Sequence, residues 1–148
     1  MISVLVAASS AVVRAGLESL VISNPDIAIV GRANGTVDLL SRMGDVQPDV
    51  VLLESDSRDE DLHGTLRALN SHASPGAIVL LVDDASARYL RDGARAVLPH
   101  GASAREILAA IEAVAAGLIV VHPDVLEGLS SAPALSSTSE GLLNDAGD

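Results

Sequence analysis

The side chains in this sequence that could do chemistry follow short apolar runs. Glu54 closes one such run, His100 follows another by two residues, and Ser9 lies shortly after the first. A carboxylate and an imidazole brought together can exchange a proton, hold a cation or form a pH-sensitive contact. The sequence contains no cysteine, which excludes disulfides, thiolate metal sites and cysteine nucleophiles.

A second cluster of charge lies just beyond Glu54, where Asp56, Asp59, Glu60 and Asp61 form an acidic loop. Hard cations bind several carboxylates, but this loop lacks the glycine and the terminal glutamate spacing of a calcium loop. The histidines are not at metal-ligand spacing either; they are His63, His72, His100 and His122. We therefore predict a solvated acidic loop, no metal ion and no cofactor.

Signatures of an enzyme are missing. Ser9 and Ser10, and the segment from Asp61 to His63, have no nucleophile-elbow context, and no glycine-rich phosphate loop is present. The only aromatic residue besides histidine is Tyr89, so rings that stack on a flavin or on single-stranded bases are absent. We predict that the chain is not an enzyme and has no catalytic residues.

Charge bears on the kind of partner. The 148 residues include 20 acidic and 9 basic side chains, a formal net charge of −11. Such a chain repels phosphate backbones and is a poor nucleic-acid binder by itself. No apolar run approaches the ~20 residues that a membrane span needs, and the absence of cysteine is typical of the cytoplasm, where we expect the protein to reside.

Five apolar runs recur at regular intervals: Ile2–Val6, Ile27–Val30, Val50–Leu53, Ile78–Val82 and Ala96–Leu98. They are continuous rather than alternating, which is typical of parallel strands covered on both faces. Helical periodicities lie between them. The alternation predicts an α/β fold with a doubly wound, five-stranded parallel sheet, whose functional groups gather outside the carboxyl ends of the strands.

Local signals mark the ends of the elements. Ser103 and Glu106 form a capping box that opens the last main helix, and Gly117 suits its end. Gly31 is predicted to close the second strand. Asp83 and Asp84 are predicted to begin and cap the next helix, and between Asp83 and Gly93 there is room for only about two helical turns. From residue 130 onward the sequence is rich in Ser, Ala, Gly and Asp. We therefore predict a domain over residues 1–129 and a flexible tail or interdomain linker over 130–148.

A family resemblance is carried by segments spread along the chain: Ile2–Ala7, Val13–Leu17, Pro25–Gly31, Pro48–Leu53, Gly101–Ser103, and Ala113–Gly117 with Pro123–Val125. On these, residues 2–129 resemble the receiver domain of a bacterial response regulator of the NarL/FixJ (LuxR) type. The resemblance implies a flavodoxin-like, CheY-like (βα)5 fold and a role in two-component phosphorelay signalling. It also implies transcription regulation, homodimerisation, and DNA binding through a downstream helix-turn-helix domain.

The sequence departs from that family at the phosphorylation pocket, where the resemblance implies two acidic residues, a phosphoacceptor Asp, a Thr or Ser, an aromatic residue and a Lys. The residues at those positions are Ala8, Ser9, Glu54, Val82, Val97 and His100, in that order. Phosphoryl transfer is catalysed mainly by the electrostatic effect of Mg²⁺ and a Lys. We therefore predict that conventional aspartyl phosphorylation does not occur.

Two interpretations remain open for Glu54 and His100. Glu54 either imitates a phosphoaspartate or is a solvated strand-end carboxylate, and the second is preferred. His100 either pairs with Glu54 in a pH-sensitive contact or is an ordinary polar loop residue, and again the second is preferred.

Three functional hypotheses follow. The first is an atypical receiver that signals through protein–protein contacts and is attached to a DNA-binding domain. The second is a stand-alone adaptor that docks a partner protein. The third is a small-ligand-binding regulatory module, with an uncharged metabolite in the vacated pocket between Ala8, Ser9, Val82 and His100.

Overall fold

The computed structural model describes residues 1–55, 62–71 and 76–130. The strands are β1 (Ile2–Ala7), β2 (Ile27–Ala33), β3 (Val50–Glu54), β4 (Ala77–Val82), β5 (Ala96–Pro99) and β6 (Val120–Val121). The helices are α1 (Ala11–Ile22), α2 (Thr36–Arg42), α3 (Leu62–Asn70), α4 (Arg88–Arg91), α5 (Ala104–Ala115) and α6 (Pro123–Ser130). The described residues do not include the acidic loop from Asp56 to Asp61, His72, or residues 131–148 of the tail predicted over 130–148.

All strand pairs are parallel, and the sheet order is β2-β1-β3-β4-β5-β6. The doubly wound, flavodoxin-like fold predicted from the sequence is confirmed, with one strand more than the five expected. The extra strand, β6, places Val120 and Val121 beside Ala96 and Val97. A two-residue strand is too short to give a recognisable apolar run, so only its pairing with β5 reveals it.

The core consists of two aliphatic layers, one on each face of the sheet. Helices α2, α3 and α4 cover one layer, and α1 and α5 cover the other. Residues Val50–Leu53 of β3 are fully buried, which explains why that strand is apolar at successive positions rather than at alternate ones. No helix in the described ranges is long and apolar enough to cross a membrane.

Two local predictions are wrong. Gly31 does not close β2, which continues to Ala33 through an irregularity opposite Val4 and Leu5. There the Leu5 side chain lies 3.4 Å from where a Cβ of Gly31 would be, which is an ordinary contact distance, so Gly31 is a residue within the strand. Asp83 does not cap the next helix either, because α4 begins after Ala87 and has no side-chain cap.

Helix α4 is a single turn of four residues, so the shortening predicted between Asp83 and Gly93 is confirmed and is more pronounced than expected. Its end packs tightly against α3. Gly93 has a φ of +111°, and a Cβ added there would lie 1.6 Å from the Asn70 amide nitrogen. That amide donates hydrogen bonds to the carbonyl oxygens of Leu66 and Asp92, which ties the two helices together.

The predicted capping box at the start of α5 is present. The Glu106 amide donates to the Ser103 hydroxyl at 3.1 Å, and the Ser103 amide donates to the Glu106 carboxylate at 2.8 Å. The hydrogen bond from the Ser103 amide lowers the pKa of Glu106 against a smaller opposing effect of burial, and His122 lowers it further. Helix α5, which covers one layer of the core together with α1, therefore begins at a fixed residue.

Replacing Ser103 by Ala is expected to lower the free energy of unfolding by about 1 kcal/mol, because the Glu106 amide loses its acceptor. Urea unfolding followed by circular dichroism measures the change. Ser103→Thr keeps a hydroxyl at the same place and is expected to retain most of the lost stability. Equal destabilisation by both substitutions would contradict a capping role for the hydroxyl.

Candidate functional site

The carboxyl ends of β1, β3, β4 and β5 meet at one edge of the sheet, as parallel pairing requires. Glu54 is the last residue of β3 and lies beside Leu81 of β4, and Val82 of β4 lies beside Pro99 of β5. His100 follows directly. Ala8 comes next after β1, and its amide bonds to the Ala33 carbonyl of β2. The sheet therefore brings the predicted positions to one edge.

His100 lies between two carboxylates. Its Nε2 is 3.0 Å from a Glu54 oxygen, and its Nδ1 contacts the Asp83 carboxylate. The side chain of Glu54 is 14% exposed and that of His100 is 32% exposed. The pairing of His100 with Glu54 is thus present, and the preferred interpretation of Glu54 as a solvated carboxylate is wrong. The pairing of β3 with β4 and of β4 with β5 places Glu54 close to His100, the residue that follows β5.

The contact engages both ring nitrogens of His100. Glu54 faces Nε2 and Asp83 faces Nδ1, so the imidazole lies against the carboxylate at the phosphoacceptor position.

The remaining pocket positions are apolar or turned to solvent. Ala8, Val82 and Val97 are fully buried, and their side chains offer no hydrogen-bonding group. Ser9 is exposed. Beside it, the Arg14 guanidinium donates to the Ala8 carbonyl at 3.1 Å, which adds a positive charge at the end of β1.

A cavity of about 610 Å³ opens beside Glu54, toward α2 rather than toward β5. Its lining residues are Ser9, Asn34, Gly35, Thr36, Val37, Asp38, Ser41, Glu54 and Ser55. Of the residues expected to line a vacated pocket, which are Ala8, Ser9, Val82 and His100, this cavity's described lining includes only Ser9. Two of the others are buried beneath the edge, and the described lining does not include His100.

Asn34 and Asp38 are cavity residues that the sequence interpretation missed. The Asp38 carboxylate accepts a hydrogen bond from the Asn34 amide at 2.8 Å, just before α2. That bond lowers the pKa of Asp38, burial opposes it, and Arg42 adds to the lowering. The sequence signal that could have revealed this contact is an acidic residue, Asp38, in the first turn of a helix.

These side chains do not fit the magnesium ion that the family resemblance implies. Mg²⁺ needs near-octahedral oxygen ligands and is usually anchored by carboxylates. Among the described residues at the ends of β1 and β3, Glu54 supplies the only carboxylate, and it faces His100. Across residues 1–55, 62–71 and 76–127, no group of three or more histidine or acidic side chains is arranged to hold a metal ion.

Sequence comparison finds response regulators. The chain is 28% identical to the response regulator GacA of Pseudomonas syringae pv. syringae, over 98% of this chain and 71% of that protein. It is also 28% identical to GacA of Pseudomonas aeruginosa, over 88% of this chain but 63% of that protein. A protein-glutamate methylesterase of Symbiobacterium thermophilum is 35% identical over 97 residues, only 25% of its own length. No family model matches the chain.

Solved structures give the same fold. The receiver domain of the NarL regulator from Mycobacterium tuberculosis superposes with a TM-score of 0.71 at 22% identity, covering 78% of this chain and 97% of that one. A LuxR-family regulator from Aurantimonas gives 0.78 at 18% identity, covering 88% and 96%. RcsB, solved as two dimers bound to two parallel DNAs, gives 0.75 at 14% identity, covering 95% and 76%.

Relatives by sequence and neighbours by fold agree with each other and with the segments that carry the resemblance. The chain has the fold of receiver domains of the NarL/LuxR group, and its sequence is similar to response regulators.

Proposed function

We propose that this receiver domain regulates transcription through protein–protein contacts and does not undergo conventional aspartyl phosphorylation. The observation that carries the proposal is the contact of His100 with Glu54 and Asp83. It occupies the carboxylate that would have to act as phosphoacceptor. The site is held by an internal ion pair where a conventional receiver holds a metal ion.

Electrostatics is the first support. Phosphoryl transfer needs cations that offset the charge of the transferring group. Here the imidazole of His100 is held between two carboxylates, so it is not free to meet a third anion. Glu54 also has to break this contact before it can act as a nucleophile.

Hydrogen bonding is the second support. Val82 stands where the resemblance implies a hydroxyl that reaches a phosphoryl oxygen, and its side chain is fully buried and apolar. Val97, at the aromatic position, is also fully buried. Neither the hydroxyl nor the aromatic ring that the resemblance implies is therefore present at these two positions.

Homodimerisation and attachment to a DNA-binding domain are the finer parts of the proposal. The chain spans 63% of Pseudomonas aeruginosa GacA, and RcsB binds DNA as dimers. The net charge of −11 opposes direct contact of this domain with DNA. DNA contact therefore belongs to a separate, basic domain, with the receiver contributing the dimer contact.

The first expected outcome is that acetyl phosphate with Mg²⁺ leaves the chain unmodified, because a lone ion-paired Glu54 offers neither cation site nor free nucleophile. Intact-mass spectrometry measures the result, with a receiver that has the full acidic pair, Asp and Lys as the positive control. A mass increase of one phosphoryl group that disappears in Glu54→Gln would contradict the proposal.

The second expected outcome concerns the ion pair. In a double-mutant cycle of Glu54→Gln and His100→Gln, the two changes in unfolding free energy are expected to differ from additivity by about 1 kcal/mol, as for partly buried pairs. Urea unfolding provides the four values. Ser9→Ala with His100→Gln is the control, and it is expected to be additive. Additivity in the Glu54 cycle would mean that the contact does not form.

The third expected outcome is a reversible dimer. Sedimentation equilibrium at micromolar concentrations is expected to give a mass that rises toward twice that of the chain, with no change on adding acetyl phosphate. Runs at two salt concentrations separate a specific contact from charge-driven association. A monomer at every concentration would remove dimerisation from the proposed function.

A further inference from the structure

Basic side chains gather between α3 and α4 in an otherwise acidic protein. Arg67 of α3 and Arg88 and Arg91 of α4 line a cavity of about 320 Å³ together with His63 and Asp92. These three arginines are a third of the chain's 9 basic residues, against 20 acidic ones. We call this group the α3–α4 arginine pocket.

Asp92, the acid among the described lining residues, is already engaged. The Asp92 carboxylate contacts His63 Nδ1 and accepts a hydrogen bond from Arg67 Nε at 3.4 Å. Burial works against ionisation of Asp92, but the hydrogen bonds from His63 and Arg67 outweigh it and lower its pKa. Among the described lining residues three arginines therefore face a single carboxylate, and positive charge is in excess.

The pocket is preformed. His63 stacks on the Tyr89 ring at a centroid distance of 5.1 Å, and its Nε2 faces Arg88 Nη2 at 3.5 Å. The Asn70 amide, which donates to the Asp92 carbonyl at 3.0 Å, fixes the end of α4 against α3. A ligand would therefore meet guanidinium groups whose supporting helices are already in place, which lowers the entropic cost of binding.

The guanidinium groups are accessible. The side chain of Arg67 is 73% exposed, and Arg88 and Arg91 are exposed. In the part of the chain that the structure describes, Arg91 makes no ion pair. Several N–H donors thus face the cavity and are available to an anion.

We propose that the α3–α4 arginine pocket binds a small phosphorylated molecule. Guanidinium groups match phosphate oxygens with paired hydrogen bonds, and a doubly charged phosphate gains more from three arginines than a single carboxylate does. A large anion such as an acidic protein or a nucleic acid would also be repelled by the rest of the chain, whose net charge is −11. A compact anion interacts mainly with the positive charge of the pocket itself. The site is separate from Glu54 and does not depend on the proposed function.

Inorganic phosphate and pyrophosphate are the probes, titrated into the whole chain by isothermal calorimetry at constant ionic strength. Saturable binding is expected, tighter for pyrophosphate. Arg67→Gln and Arg88→Gln are each expected to weaken it about tenfold, the effect of losing one charge-assisted hydrogen bond. Arg105→Gln on α5 removes the same charge elsewhere and is expected to change affinity less than about twofold.

Circular dichroism checks that the variants fold. If Arg88→Gln does not fold, Arg88→Lys replaces it in the titration, because lysine keeps the charge but not the paired donors. If Arg105→Gln lost as much affinity as the pocket variants, the loss would be due to the overall charge of the chain, and the proposal would be overturned. Absence of saturable binding would overturn it too. Tighter binding of a glutamate-rich peptide than of pyrophosphate would replace the small ligand by an acidic partner. None of these outcomes alters the expected behaviour of Glu54.

Discussion

The contact of His100 with Glu54 and Asp83 is the interaction on which the proposed mode of action depends. A carboxylate that is only 14% exposed needs a partner, because desolvation penalises an isolated charge. In a conventional receiver a metal ion and a lysine meet that need, and the response to phosphate depends on them. Here a histidine from the loop after β5 meets it, so the site is satisfied without any added ion.

The scaffold makes this substitution possible. Glu54 and His100 are brought together by strand pairing. The strands themselves are held by hydrophobic packing on both faces of the sheet. Replacing pocket residues by Ala8, Val82 and Val97 extends those layers up to the edge of the sheet, since all three are fully buried. The fold is therefore compatible with apolar side chains at these pocket positions.

Much of the fold follows from the sequence because it depends on local and periodic signals. The continuous run Val50–Leu53 predicts a strand buried on both faces, and the Ser103–Glu106 box predicts the start of α5. Strand β6 does not follow, since two residues carry no period and only the pairing with β5 defines them. The prediction for Gly31 is wrong because a glycine within a strand and a glycine at a strand end have the same sequence signal.

The candidate site follows only in part. The resemblance identifies Glu54 and His100 as neighbours, but the share of a side chain that remains exposed depends on the packing of the loops above it. Asp83 was interpreted as a helix cap, whereas the structure turns its carboxylate toward His100. The cavity beside α2 was also missed, because Asn34 and Asp38 come from a segment with no counterpart in the family's phosphorylation motif.

A crystal structure determined in the presence of Mg²⁺ and beryllofluoride tests the central claim most directly. The account predicts His100 within hydrogen-bond distance of Glu54 and Asp83, with neither metal nor beryllofluoride bound at the end of β3. A magnesium ion coordinated by Glu54, with His100 displaced from it, would contradict the account.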